Sequence, residues 1–376
     1  MKKSKGLHFQ LFLAFFVSTL LGCKDPAGPS QPPTPKDTPS AIYAWDLSTN
    51  AANSFWKIKD SNNLDVHLLD FAKQNHVNTV RLRLLNGNPT FPHPSIQQII
   101  QTSQLCKQKS LQTWLDFHLS DVWADPGNQQ IPSTFKNNNV DSLAQYVTQF
   151  IHSQLTTLKE HNVLPQYIQI GNEVSNGFLW PICEFWKTAT GFKNFRKVYD
   201  AAAEEVRKLS PETKIILHLA GDINLYYTIE EVKKLQLDFD IWGFSYYGLW
   251  HGCEPENLFN LFENTAYFTG KPFIIAEIAY PFTLSYVDNE TNVVGGISQL
   301  CSGYSAQAAN QDSWLSKTVK ILASKAHYAG IAYWEPAWFG KNNFQTANTS
   351  SWENMCLFDF SGKPLPAAYG NWTKTK

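Results

Sequence analysis

Charge is scarce in this 376-residue chain: 17% of its residues are Asp, Glu, Lys or Arg, and they nearly cancel, to a formal net charge of -1. No dense basic run occurs in the body of the chain. That argues against a nucleic-acid partner, because binding phosphates needs a clustered positive surface. The six cysteines follow no zinc-ligand spacing,. No Gly-rich loop follows any predicted strand, which disfavours a doubly wound nucleotide-binding sheet. Nor is there a second Pro-rich linker after residue 40. The remaining span is therefore read as a single large domain, 41–376.

What is present begins with a targeting segment. Lys2, Lys3 and Lys5 precede an apolar run from Leu11 to Leu21, the layout of a secretory signal peptide (1–22) and too short for a membrane-spanning helix. The run closes on Leu20-Leu21-Gly22-Cys23, which resembles a bacterial lipobox. That resemblance implies that Cys23 becomes the lipidated first residue of an exported lipoprotein, tethered at the outer membrane or cell surface. The alternative is cleavage nearby by a different protease, leaving a soluble secreted protein. Lys24 and Asp25 resemble the surface-export signals of Bacteroidetes lipoproteins. Residues 26–39, PAGPSQPPTPKDTP, offer nothing large and apolar to bury, so 23–40 is read as the lipidated Cys and an extended spacer.

The body is rich in core-forming residues: 43% of the chain is hydrophobic and 14% aromatic, with 13 Trp. Part of the Trp excess belongs to the core and part suits stacking on flat ligands such as sugar rings. Apolar, β-rich runs at Ile42–Asp46, Val77–Leu85, Leu111–Phe117, Tyr167–Ile170, Lys214–Leu219, Phe239–Ser245, Pro272–Ala276 and Gly330–Trp334 predict eight strands,. Helical spacing recurs between them, for example at Leu64–Gln74, Ser95–Lys109, Asp141–Asn162, Phe192–Leu209 and Ser305–His327,. Eight strands alternating with helices predict an α/β fold, a (β/α)8 TIM barrel. With Cys23 assigned to lipid, five cysteines remain; they allow up to two disulfides with one thiol left over, and a staple among Cys183, Cys253 and Cys301, all in predicted loops, is expected.

In such a barrel the chemistry sits at the C-terminal ends of the strands. There the chain places Asp46; Arg81 and Arg83, two apart and so on one face; Asp116, His118, Asp121, Trp123 and Asp125; Asn172 and Glu173; His218; Ser245, Tyr246 and Tyr247; Glu277; and Trp334, Glu335 and Trp338. Each has a structural alternative. Asn172-Glu173 also suits a helix N-terminus, the arginines suit charges satisfied inside a barrel, Asp116 and Asp125 suit helix caps or loop braces, Glu335 suits a loop brace, and His218 suits a satisfied core histidine. Two apolar strands that each end in Glu, YIQIGNE and PFIIAE, single out Glu173 and Glu277. Two carboxyls at a barrel mouth, aromatic platforms and no metal cluster are the requirements of glycoside hydrolysis: one Glu protonates the leaving oxygen and the other attacks the anomeric carbon. A neighbouring Arg is expected to lower the pKa of the nucleophile, and partial burial to keep the acid protonated.

The segments TVRLRLL, LDFHLSDVWADPGNQQIP, YIQIGNEVSNGFLWP, DIWGFSYYGLW, FIIAEIAYPFT and GIAYWEPAW together resemble the arabinogalactan endo-β-1,4-galactanases, glycoside hydrolase family 53, from about Tyr43 to Trp372. The resemblance implies an endo-acting, retaining hydrolase of β-1,4-galactan, the side-chain polymer of pectin; separately, no cofactor is assigned and a monomer is expected. By position, Glu173 corresponds to the acid/base and Glu277 to the nucleophile. Asn172 would contact the sugar 2-hydroxyl, Arg81 and Tyr246 would orient Glu277, and Trp334 would floor the subsite of the reacting sugar. His118, Asp121, Trp123, Trp180, His218, Tyr247 and Trp338 would line the groove, with Asp46, Arg83 and Ser245 counted among the substrate-binding set. The chain departs from the family at Leu119, usually Tyr, at Gly248, often Pro, and at a Trp250–Cys253 insertion. Some bacterial members bind calcium after strand seven; here Asp288, Asn289, Glu290 and Asn292 lack the tight alternation of a calcium loop, so no metal is assigned. The alternatives are another endo-glycanase of the clan, acting on mannan or xylan, and a surface glycan-binding lipoprotein without catalysis.

Overall fold

A computed structural model describes residues 41–87, 93–135, 137, 139–221, 224–339 and 350–374. The signal peptide, Cys23 and the Pro-rich stretch lie outside the described residues. Eight parallel strands close into a barrel in sequential order: β1 (Ile42–Asp46), β2 (Thr79–Leu84), β3 (Gln112–Phe117), β4 (Tyr167–Ile170), β5 (Lys214–Ala220), β6 (Ile241–Ser245), β7 (Phe273–Ile278) and β8 (Tyr328–Tyr333). The TIM barrel predicted from strand spacing is the fold observed. Between successive strands lie α1 (Leu68–Gln74), α2 (Ile96–Gln108), α3 (Val140–Glu160), α4 (Gly191–Leu209), α5 (Leu225–Leu235), α6 (Glu256–Thr269) and α7 (Ala308–Ala323).

Most boundaries fall within a few residues of the sequence expectation, and the differences have local causes. Residues 65–67 were expected to be helical. Instead Asp65–His67 pairs antiparallel with Lys57–Lys59, and His67 then caps α1 by accepting the Leu69 N–H at 3.2 Å,. Ser95 and Gln98 form a reciprocal capping box that starts α2 one residue later than predicted,. A second small hairpin pairs Gly177–Phe178 with Cys183–Glu184.

Strand alternation sorts the side chains into two cores. Outward residues pack under the helices as the main apolar core. Inward residues near the N-terminal end form a compact plug of Ile42, Ala44, Trp114, Tyr167, Ile216, Ile241, Ile274, Ala276 and Ala332. Each large apolar side chain fully buried in this way contributes about 1.5–3 kcal/mol. Gly330 is required where β8 meets β1 to close the barrel, because its φ is +145° and a Cβ would lie 2.0 Å from the Ile42 carbonyl oxygen,. Above the plug the inward positions turn polar. Register sets Asp46 beside Arg81, Arg83 beside Asp116, Asp116 beside Gln169, and Ser245 beside Glu277. The predicted rim residues therefore meet in one layer.

Candidate active site

Arg81 is the centre of that layer. Its guanidinium is fully buried over the Trp114 ring, 5.3 Å from the centroid, and it is the hub of the local ion pairs. Nη1 donates to Asp46 Oδ2 at 2.6 Å, while Nη2 lies within 3.1 Å of Asp116 Oδ2, Gln169 Oε1 and Glu277 Oε1 and 2.9 Å from Asn172 Oδ1. Burial opposes its charge, and Asp116, Glu277 and Asp46 overcome that penalty, so the pKa is raised further,. Arg83, also buried, pairs with Asp46 Oδ1 at 3.3 Å and Glu335 Oε1 at 2.7 Å and lies over Trp123,. Burial likewise opposes the charge of Asp46, but Arg83, Arg81 and two hydrogen bonds from Ser48 hold it below the ordinary carboxylate range.

Glu277, at the end of β7, accepts from Tyr247 Oη at 3.0 Å and faces Arg81 Nη2. Burial is the largest influence and pushes its carboxyl up to about 7, against Arg81 and Tyr247, with Asp46 and Asp116 adding to the rise. Arg81 lowers this pKa as expected, but it is shared among three carboxylates, and what it offers Glu277 does not offset the loss of water, so the net shift is upward,.

Glu173 reaches the site on a strained turn. Gly171 (φ +77°) ends β4 where a Cβ would meet Val174 Cγ1 at 2.6 Å, and Glu173 itself has φ 47°,. Gln129 holds the turn by donating to the Asn172 carbonyl oxygen at 2.7 Å. The Glu173 N–H donates to His218 Nδ1 at 3.4 Å, and the Val174 N–H to the His218 carbonyl oxygen at 2.9 Å. His218 is buried; desolvation, Arg81 and His118 push its pKa well down, so the ring is neutral. His218 Nδ1 lies within 3.4 Å of the Glu173 N–H, Gln169 Nε2 and Asn172 Oδ1, and its Nε2 lies 2.9 Å from Ser245 Oγ, so the ring ties β4 to β6,. Ser245 lies beside the Glu173 carboxyl and favours its ionised form. Desolvation and then the charge of Glu277 raise the Glu173 pKa well above its ordinary value.

The rim encloses a cleft of about 730 Å3, lined by both glutamates, Asn172, Arg83, His118, Asp125, Tyr247, His251 and the indoles of Trp123, Trp250, Trp334, Trp338 and Trp352. His118 Nδ1 lies 3.1 Å from Asp116 Oδ2; a carboxylate can only accept, so Nδ1 carries the proton,. Its Nε2 has no partner among the described residues and lies where it can hydrogen-bond a ligand hydroxyl. Two carboxyls whose charges influence one another, in an aromatic cleft with a few fixed polar atoms, can carry out acid/base and nucleophilic chemistry on a carbohydrate,.

The model of glycosyl hydrolase family 53 matches residues 43–369. The chain belongs to glycosyl hydrolase family 53. It is 32% identical over 322 residues to an uncharacterized protein of Niallia circulans, covering 82% of this chain and 86% of that one. It is 29% identical over 301 residues to the arabinogalactan endo-beta-1,4-galactanase of Cellvibrio japonicus (strain Ueda107), covering 77% and 78%. Among solved structures, the GH53 catalytic domain of Ignisphaera aggregans superposes with a TM-score of 0.80 at 29% identity, covering 92% of this chain and 98% of that domain.

This family 53 chain brings Glu173, Glu277, Asn172, Arg83, His118, Trp123, Tyr247, Trp334 and Trp338 to the cleft. Asp46, Arg81, His218 and Ser245 are fully buried beneath it, where they hold the residues that line it. Asp46, His218 and Ser245 thus lie under the groove they were expected to line, because inward strand positions below the rim are closed over, and three further positions differ from expectation. Tyr246 is buried and its hydroxyl donates to the Gly252 carbonyl oxygen at 2.9 Å; Tyr247 is the tyrosine on Glu277, because strand alternation ends at Ser245 and the chain turns there. Asp121 is engaged by Ser133, through the backbone N–H at 2.7 Å and the hydroxyl at 2.6 Å. Trp180 donates to the Asn176 carbonyl oxygen and pairs with the strip at Gln130. The described cleft-lining residues include neither.

Glu335 is a brace, held by Thr49 and Arg83 at about 1% exposure, with burial pushing its carboxyl up to about 7. Asp116 accepts from Arg81 and Gln169 instead of capping a helix. Asp125 braces its loop through the Gly127 N–H at 2.7 Å and also lines the cleft. Asp288 accepts from the backbone N–H groups of Glu290 and Ser350. Cys253 pairs with Cys301, while Cys106, Cys183 and Cys356 are free and buried. Sequence reasoning missed Gln129, Gln169, His251 and Trp352. Trp250 was noticed only as part of a departure from the family, and no local pattern marked Trp352, which comes from the long segment after β8.

Proposed function

We propose that the chain is an endo-acting, retaining hydrolase of β-1,4-galactosidic bonds in galactan and arabinogalactan. The observation that carries this reading is the placement of two carboxyls, Glu173 just after β4 and Glu277 near the end of β7, on one aromatic cleft with Arg81 beside Glu277; the charge of Glu277 raises the pKa of Glu173, which favours the shared proton on Glu173 and the negative charge on Glu277,. The ionised Glu277 attacks the anomeric carbon as Glu173 gives its proton to the leaving oxygen. Glu173, now a carboxylate, takes a proton from water, whose oxygen displaces Glu277 and restores both groups. Arg81 and Tyr247 steady the Glu277 charge, and the neutral His218–Ser245 relay orients Glu173. Trp334 offers a platform for the reacting sugar, and Asn172 and His118 offer polar contacts. The reaction uses no metal or cofactor, and the catalytic unit is a monomer.

The sequence supports export and acylation at Cys23, which would place the enzyme at the outer membrane or cell surface; fatty-acid labelling of wild type against Cys23→Ser tests this, and labelling of both would overturn it. The activity is tested by reducing-sugar release and product sizing on linear β-1,4-galactan, with mannan and xylan alongside. Short galacto-oligosaccharides are expected. Release from mannan or xylan alone would replace the substrate, and binding without release from any polymer would replace catalysis with glycan capture.

A further inference from the structure

A second groove of about 550 Å3 opens beside the cleft, and Pro126 lines both. Its wall begins with Ser175 and Asn176, the second and third residues after Glu173, and continues through Glu184, Trp186 and Lys187. Trp186 is 56% exposed and lines this groove, so its indole is open to a ligand there. Its backbone is left-handed at φ 58° and its ring packs edge-on against Phe192 at 4.9 Å. Polar groups surround this indole. Asn176 Oδ1 is buried without a partner among the described residues, and Lys187 pairs with Glu184 at 3.2 Å. An aromatic side chain and hydrogen-bonding groups lining one groove suit a sugar ring, which presents an apolar face and a polar edge,.

Direction follows from the chemistry. The acid protonates the leaving oxygen, so the leaving half of the polymer lies on the Glu173 side. The groove starts on that side, on the same stretch of chain. We propose that it is an extension of the cleft for the leaving half, and that Trp186 stacks a galactosyl unit of β-1,4-galactan on the reducing-end side of the scissile bond. This inference rests on the galactanase reading.

The test compares two substrates: long linear β-1,4-galactan, and an aryl β-galactobioside whose leaving group is too short to reach Trp186. Trp186→Ala is expected to lower kcat/KM on the polymer by about 3- to 10-fold, the worth of one aromatic contact, and to leave the aryl substrate within about twofold. Trp186→Tyr should recover most of the loss. Should Trp186→Ala fail to fold, Asn176→Ala carries the same comparison. An unchanged rate on galactan, or an equal fall on both substrates, would overturn the proposal. Wild type that cleaves galactan while Trp186→Ala does so equally well sinks this inference alone; wild type inert on galactan sinks the galactanase reading and this one with it.

Discussion

Glu173 and Glu277 are the same residue type at the ends of strands three apart in the barrel, yet their surroundings differ in kind. Glu277 looks down on charge: Arg81 at 3.1 Å, with Asp46 and Asp116 behind it, and a tyrosine hydroxyl at 3.0 Å. Glu173 looks onto a neutral chain, Gln169 to His218 to Ser245. A fixed cation favours the ionised form of its neighbour, whereas a neutral relay in a poorly solvated site leaves the protonated form favoured. Two roles thus arise from one side chain. The cationic side is also the side on which stability depends, because its charges are buried and satisfy one another.

The comparison can be broken outright at the carboxyls. Glu277→Gln and Glu173→Gln should each lower polymer hydrolysis by at least about 10^4-fold, measured as reducing-sugar release. An aryl substrate with a good leaving group should restore glycosyl-enzyme formation in Glu173→Gln only; equal behaviour of the two variants would erase the distinction between their roles.

Next in size is the hub. Arg81→Met strands Asp46, Asp116 and Glu277 without their cation, and should cost about 3–5 kcal/mol in chemical denaturation. A loss below about 1 kcal/mol would show that these carboxyls neutralise themselves without help.

The two adjacent tyrosines sharpen the contrast. Tyr247→Phe removes a hydrogen bond that favours ionised Glu277, so the acid limb of the kcat/KM profile, set by a group near pH 7, should move to higher pH. The rate at neutral pH should fall about 10- to 100-fold. Tyr246→Phe, whose hydroxyl donates to the Gly252 carbonyl away from Glu277, should change the rate by less than about threefold. The reverse order of effects would restore Tyr246 as the residue that orients Glu277.

The smallest effect is on stability. Because the pKa of Glu173 is raised in the folded protein, the folded state keeps a proton that the unfolded chain releases as pH climbs above the ordinary glutamate range. The stability that this proton contributes is complete at low pH and is lost as pH rises through the folded value. Glu173→Gln has no such loss, so its Tm should match wild type near pH 4 and exceed it by roughly 1–3 °C above pH 8. A gap that did not change with pH would sink the assignment of a raised pKa.

Much of the site was legible because strand ends are local features. YIQIGNE and PFIIAE each announce an apolar strand that stops at a carboxyl, and alternation alone puts Arg81 and Arg83 on one face,. What resisted reading came from distant segments or depended on turns. The exchange of Tyr246 for Tyr247 turns on where alternation ends after Ser245. Asp121 and Trp180 sit in loops whose direction no periodicity fixes. Trp352 enters the cleft from a segment far along the chain, packing 4.4 Å from Trp334 between ring centroids.

The sequence by itself determined the barrel, through eight apolar runs at βα spacing, and determined which carboxyls stand at the ends of its strands, because backbone periodicity and burial are set by near neighbours. Only the tertiary structure decided how those carboxyls differ: which shares Arg81, which meets a neutral histidine, and that burial outweighs the cation at Glu277. Those are sums over groups that barrel closure brings together, and electrostatic energy depends on distances that no stretch of sequence contains.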